Sequence, residues 1–285
     1  MSDQTETETG QPQADQAATT LPAPPEPPAP RKDRRVLRAV LRWTAVVAVF
    51  AATGGATAFG ITRMERTDLP GLATASDGRW DYPVLTKPPL PSGSPGPFAA
   101  ENVAGAHYAD QRALVLPAPA GAKADTALRG TDGWLPTGTF LAEFPTKGGE
   151  RAEVGQLMTD YGLRHVAARG WTTGDGTHTR IYLLQFDTAE VVNRLLYSTL
   201  VHNGYPRYLV NGVAALTLDN GSPARVGGKV GRLAYEEFKP YGQEQVRVAY
   251  LSAGDTLAFV VQSRAGATPA LPFHQTVALQ SELLG

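Results

Sequence analysis

A run of twenty residues without a charged side chain, Trp43 to Thr62 (WTAVVAVFAATGGATAFGIT), constrains this chain more than any other feature. As an α-helix it would rise about 1.5 Å per residue and span roughly 30 Å, the thickness of a bilayer's hydrocarbon core. A helix also satisfies its own backbone groups, which lipid demands. Gly54, Gly55 and Gly60 weaken a helix in water but are frequent in membrane helices, and Trp43 and Phe59 stand near opposite ends, where aromatic rings favour the interface. Arg31, Lys32, Arg34, Arg35, Arg38 and Arg42 precede the run closely, and only Arg63 and Arg66 follow it closely. That bias predicts a cytoplasmic N-terminus and a chain that lies outside the membrane after Thr62. A cleaved export signal would use Ala56-Thr57-Ala58 as its cleavage pattern, but 42 residues make a long preamble for one. A buried core helix would leave the basic cluster without a purpose. Ala51 with Gly55 and Ala56 with Gly60 have the spacing of close helix pairing, although an Ala/Gly-rich composition produces the same spacing.

The flanks differ in kind. Residues 1–30 are rich in proline and acids and carry no Lys or Arg, so they cannot bury enough apolar surface to offset the entropy of ordering. A disordered cytoplasmic tail ending in the basic cluster is therefore expected over residues 1–42, with the membrane span at 43–62. Residues 63–98 lack periodicity and contain P-S-G-S-P-G, which predicts a flexible Pro/Gly-rich linker. Trp80 and Tyr82 fit either the bilayer surface or a loosely docked linker.

Residues 99–285 read as one extracytoplasmic α+β domain. Arg112 to Leu116 is predicted as a short strand, and Val154, Leu157, Met158 and Tyr161 mark one face of a helix from Glu150. Residues 163–173 and 177–186 flank Gly174-Asp175-Gly176, a hairpin expected to turn on Asp-Gly, with His165 facing Phe186 and His178 facing Thr173. Asp187 with Glu190 predicts a capping box for a helix over residues 188–203. Residues 213–218, 230–238, 245–252 and 256–263 read as further strands, and Pro272 suits the first turn of a final helix. Strands joined by tight turns, with helices between groups, give an antiparallel sheet with helices on one face.

The segments YADQRALVLPAPAGAKAD (Tyr108 to Asp125) and GLRHVAARGWTTGDGTHTRIYLLQF (Gly162 to Phe186) resemble actinobacterial single-pass membrane proteins of unassigned function. Twenty arginines against six lysines suit a GC-rich genome of that kind. The resemblance implies no catalytic residue and no named enzyme family.

Chemistry-bearing motifs are sparse. There is no cysteine, which excludes disulfides, thiolate metal sites and thiol catalysis. A formal charge of -1 argues against a nucleic-acid partner held by phosphate neutralisation. The histidines His107, His165, His178, His202 and His274 show no helical metal-ligand spacing, no serine sits in G-x-S-x-G, and no phosphate-binding loop is present. No catalytic residue, metal or cofactor is expected. The function expected is a membrane-anchored binding or interaction domain at the cell envelope, with the lipid bilayer and an envelope polymer or protein as partners. An exported hydrolase with a site built from scattered residues is the alternative. Two loops present aromatics beside cations on a proline-limited backbone and are the candidate partner-binding residues: Tyr205, Arg207 and Tyr208, and Lys239 and Tyr241.

Overall fold

The structure, a computed structural model, describes residues 34–63, 77–222 and 229–285. Of the tail expected over residues 1–42, residues 1–33 fall outside the described residues, as does the first part of the linker, and residues 35–42 are helical. The chain divides into two compact units, Met1–Thr74 and Ala75–Gly285.

In the first unit, helix α1 runs over Arg35–Arg63, beginning before the uncharged run and taking in Arg35, Arg38 and Arg42. Trp43, Val47, Phe50 and Phe59 are all more than half exposed, so no described residue covers these apolar side chains. Thr44 and Thr57 return their hydroxyls to the carbonyls of Val40 and Thr53, which hides those polar groups inside the helix. Residues 35–60 form the one helix among the described residues long and apolar enough to cross a membrane.

The second unit is built on an antiparallel sheet. Its strands are β1 (Lys123–Asp125), β2 (His165–Thr172), β3 (His178–Gln185), β6 (Thr217–Leu218), β7 (Gly231–Glu236), β8 (Glu244–Ala253) and β9 (Thr256–Ala265). They lie in the order β1-β2-β3-β9-β8-β7-β6, and a separate hairpin pairs β4 (Val201–His202) with β5 (Tyr205–Pro206). The helices are α2 (Thr137–Leu141), α3 (Glu150–Asp160), α4 (Ala189–Arg194), which continues as a π-helical turn over Leu195–Leu200, and α5 (Ala270–Leu284).

The α+β class and the antiparallel sheet are as the sequence predicts, and α2 to α4 cover one face. Phe140, Phe144, Val154, Met158, Val192 and Leu195 pack there on Tyr182, Tyr250 and Phe259. The final helix adds a layer on the opposite face. Phe273, Val277 and Leu284 meet Trp171, Ile181, Leu251 and Val260, with Leu114, Val115 and Leu116 beside them. Ala167, Ala234, Ala249 and Ala258 keep this second face shallow enough for α5 to approach closely. β8 and β9 are buried on both faces for nearly all their length, which is why each has an uninterrupted apolar centre, Val248 to Leu251 and Leu257 to Val261.

Three local expectations are corrected. Residues 112–116 are not a strand: Asp110 caps a 3-10 turn over Gln111–Ala113, and the following backbone bonds to a side chain. Gln280 of α5, fully buried, accepts from Leu116 N at 2.9 Å and donates to Leu114 O at 2.9 Å. The β2–β3 hairpin pairs His165 with Gln185 and Thr172 with His178, one residue away from the predicted register. Its loop has three residues, because Gly176 takes φ +81 and donates to Thr173 O, while the Asp175 carboxylate accepts from both threonine hydroxyls. The cap of α4 is Thr188, whose hydroxyl accepts from Val191 N; Asp187 instead pairs with Arg164 at 3.3 Å.

Residues 77–98, within the stretch read as linker, lie against the second face. Trp80, Tyr82, Leu85 and Phe98 are partly buried on it. Gln275 of α5 bonds to both the N–H and the carbonyl of Trp80 at 2.8 Å, and the Tyr82 hydroxyl meets Thr276 at 2.9 Å. Two glutamines of one helix thus each dock an extended segment.

Candidate functional site

The edge of β2 is where the second unit becomes concave. β1 pairs only with its end, at Thr172, Trp171 and Gly170. The next stretch of edge is taken by a tight turn in which Thr131 and Trp134 exchange backbone hydrogen bonds at 3.0 Å, Leu135 donates to Val166 O, and Trp134 bridges to Ala167. This turn stands Trp134 on the sheet edge. Its ring lies 4.6 Å from that of His165, tilted by 32°. The Arg112 guanidinium covers it at 5.2 Å, a cation–π geometry.

Arg112 is held in that position from two sides. Nε and Nη2 fork onto the Asp110 carboxylate at 2.9 Å each, and Nη1 donates to Asp132 O at 2.8 Å. The fork holds the Asp110 carboxyl below its ordinary pKa. Gly133 makes the approach feasible, since a Cβ there would come within 2.8 Å of Arg112 Cδ. A groove of about 660 Å³ runs past these residues, walled by Pro89, Leu90 and Pro91 and by Tyr108, which is 47% exposed.

Arg112 also lines a second cavity, of about 330 Å³, with Arg129, Arg169 and Asp125 and a floor of Ala124, Ala167, Ala168, Gly133 and Gly170. Arg169 is half-buried on β2, and burial pulls its pKa down. Groove and cavity are thus neighbours with Arg112 as a shared wall.

Three other polar clusters fasten the domain. His107 Nδ1 meets the Asp255 carboxylate at 2.7 Å and Nε2 meets Leu284 O at 3.2 Å, joining the start of the domain to the β8–β9 turn and to the end of α5. A hydrolytic His–Asp pair would aim that second nitrogen at a nucleophile. Here a carbonyl occupies it. Arg180 forks onto Glu143, which also accepts from the Tyr182 hydroxyl. Asp219, buried, takes both Arg247 at 2.8 Å and His274 at 2.7 Å. Among the described residues no group of three or more His, Asp and Glu side chains is placed to hold a metal ion.

The residues singled out from sequence lie elsewhere. Tyr205 is exposed on the β4–β5 hairpin, whereas Tyr208 is 6% exposed and belongs to the core, with the Arg207 guanidinium 5.6 Å from its ring. Lys239 lies 5.7 Å from the Tyr241 ring, beside an 84% exposed Phe238. The two loops approach each other at their flanks, where a Cβ on Gly242 would sit 3.0 Å from Gly212 O. Tyr108, Arg112, Trp134, His165 and Arg169 were not predicted as a site. One signal was readable: Ala167, Arg169 and Trp171 alternate along one face of β2, and a charge between two fully buried side chains breaks the pattern.

No family model matches the chain, and no curated protein does. Among solved structures the extracellular domain of PknH from Mycobacterium tuberculosis is similar at 8% identity, covering 45% of this chain and 68% of that one with a TM-score of 0.28. So slight a likeness carries no argument about function.

Proposed function

We propose that this chain is a single-pass membrane protein whose domain of residues 75–285 lies outside the cytoplasm and binds an envelope ligand in the groove beside Trp134. The membrane anchoring is supported by α1, with its apolar exposed surface and the cluster Arg31 to Arg42 that leads into and occupies its first turns. The arginine-rich composition supports an actinobacterial source for that envelope.

The observation that carries the binding reading is the shape and chemistry of the groove. Tyr108, Trp134 and His165 line it with aromatic rings, Arg112 and Gln185 add N–H groups beyond those bonded to Asp110, Asp132 and Asp255, and Pro89 to Pro91 form a stiff wall. Rigid aromatics lose little entropy on contact, and flat faces flanked by donors suit the apolar and hydroxylated sides of a polymer unit. The loops bearing Tyr205, Arg207, Lys239 and Tyr241 are the competing surface.

The two separate by co-sedimentation of the full-length protein, in a polyoxyethylene detergent that carries neither charge nor sugar, with purified cell envelope. Truncating a central hot-spot aromatic costs about 2 kcal/mol or more, so Trp134→Ala should weaken the affinity at least about tenfold. Tyr205→Ala and Tyr241→Ala should leave it unchanged. Binding lost in the tyrosine variants and kept in Trp134→Ala would move the site to the loops.

A further inference from the structure

We infer that the cavity behind Arg112 is an oxyanion pocket, in which Arg169 and Arg129 hold an acidic group of the same ligand that lies along Trp134. The inference rests on the groove being a ligand site and adds the chemical class of what is bound there.

The first ground is an imbalance. Arg180 forks onto Glu143, and Arg247 reaches both Asp219 and Glu236. Arg169 stands between Ala167 and Trp171 on a face where both are fully buried, yet its bond is to a neutral group, Val115 O at 2.8 Å. No carboxylate among the described residues forms an ion pair with it. A half-buried guanidinium without a counter-charge is costly, and a ligand oxyanion would offset that cost.

Arg129 ends the 3-10 turn Thr126–Arg129 above the same cavity, exposed and likewise without an ion-pair partner among the described residues. Arg112 is balanced by Asp110. Asp125, the acid in the lining, is engaged elsewhere: its Oδ1 accepts from Ala127 N at 3.0 Å and its Oδ2 faces His178 Nε2 at 3.4 Å.

Room is the second ground. Besides the charged side chains the lining is mostly alanine and glycine (Ala124, Ala167, Ala168, Gly133 and Gly170), with only Val115 and Leu128 larger. A volume of about 330 Å³ admits a phosphate or a carboxylate with its immediate substituents. The guanidinium fork matches either oxyanion in geometry. Arg112, shared with the groove, lets one molecule place its acidic group in the cavity and its ring or chain on Trp134.

The test is thermal unfolding of the full-length protein in the same detergent, at constant ionic strength, with chloride replaced stepwise by inorganic phosphate or by acetate. A pocket predicts a melting temperature that rises and saturates in the wild type. The apparent dissociation constant should increase at least tenfold in Arg169→Gln, and several-fold in Arg129→Gln, an exposed position that the fold does not need. Saturation by phosphate alone assigns a phosphoryl group; saturation by acetate as well assigns a carboxylate. A rise that never saturates, or one equal in wild type and both variants, is general salt stabilisation and overturns the inference. Envelope sedimentation keeps the two readings apart. If the wild type binds envelope and the arginine variants bind it equally well, the pocket falls and the groove stands. If no form binds envelope, the groove reading falls and the phosphate titration still decides the pocket.

Discussion

Replacing Gln280 by leucine should destabilise the second unit by about 1–4 kcal/mol. Gln280 is fully buried, and its amide is the partner of both Leu116 N and Leu114 O. Leucine keeps much of the volume and offers neither a donor nor an acceptor. Two buried backbone groups then lose their partners at about 1–3 kcal/mol each, and the gain from a more apolar side chain offsets about 1–2 kcal/mol of that. The assay is urea unfolding of the full-length protein in non-ionic detergent, followed by tryptophan fluorescence, because Trp171 is fully buried against this layer. The midpoint should fall with the slope unchanged, since the same surface is exposed on unfolding. The effect should extend to the cavity, because Val115 O holds Arg169. A change below about 0.5 kcal/mol would show that residues 114–116 are not held by the side-chain amide, and the reasoning would fail.

Asp255→Ala removes the acceptor shared by His107 N, His107 Nδ1 and the Thr256 hydroxyl in a site where both side chains are 3% exposed, and should cost about 3–5 kcal/mol in the same urea experiment. His107→Gln combined with Asp255→Ala should cost less than the two changes summed; simple additivity would contradict the clasp. Burial and the Arg180 charge hold the His178 pKa below its ordinary value, against the opposing pull of Asp125 and Glu244. The unfolded chain therefore takes up this proton first, and the folded state loses stability as pH falls through the ordinary histidine range, near 6.5. His178→Gln should flatten that part of the stability–pH curve while leaving stability above pH 7.5 almost unchanged; an unaltered slope between pH 7 and 5 would refute it.

The parts of this fold that were legible in the sequence are those fixed by periodicity and local turn chemistry. β8 and β9 declare themselves as strands either side of a glycine-containing turn, α3 by Val154 and Met158, and α5 by Pro272 in its first turn. What was not legible depends on contacts distant in sequence. The stretch around Leu114 to Leu116 has strand-like composition, and only a glutamine 164 positions away decides that its backbone bonds to a helix side chain instead. Residues 80–98 read as a spacer because proline and glycine dominate them, while Gln275 and Thr276 make them part of the domain. The hairpin register moved by one because the Asp175 side chain, bonded to Thr173 and Thr177, favours the three-residue loop. The candidate groove gathers Pro89, Tyr108, Trp134, His165 and Gln185 from five separate segments, so no local motif announces it.

The central claim, a domain carried outside the cytoplasm on α1, can be tested directly because the chain contains no cysteine. Glu101→Cys places one thiol at an exposed position of the domain, and Thr5→Cys places one in the N-terminal tail. Intact cells producing each variant are treated with a membrane-impermeant maleimide before and after permeabilisation. The account predicts that Glu101→Cys is labelled in intact cells and that Thr5→Cys is labelled only once the membrane is opened. Labelling of Thr5→Cys in intact cells with Glu101→Cys protected would place the groove in the cytoplasm and contradict the account.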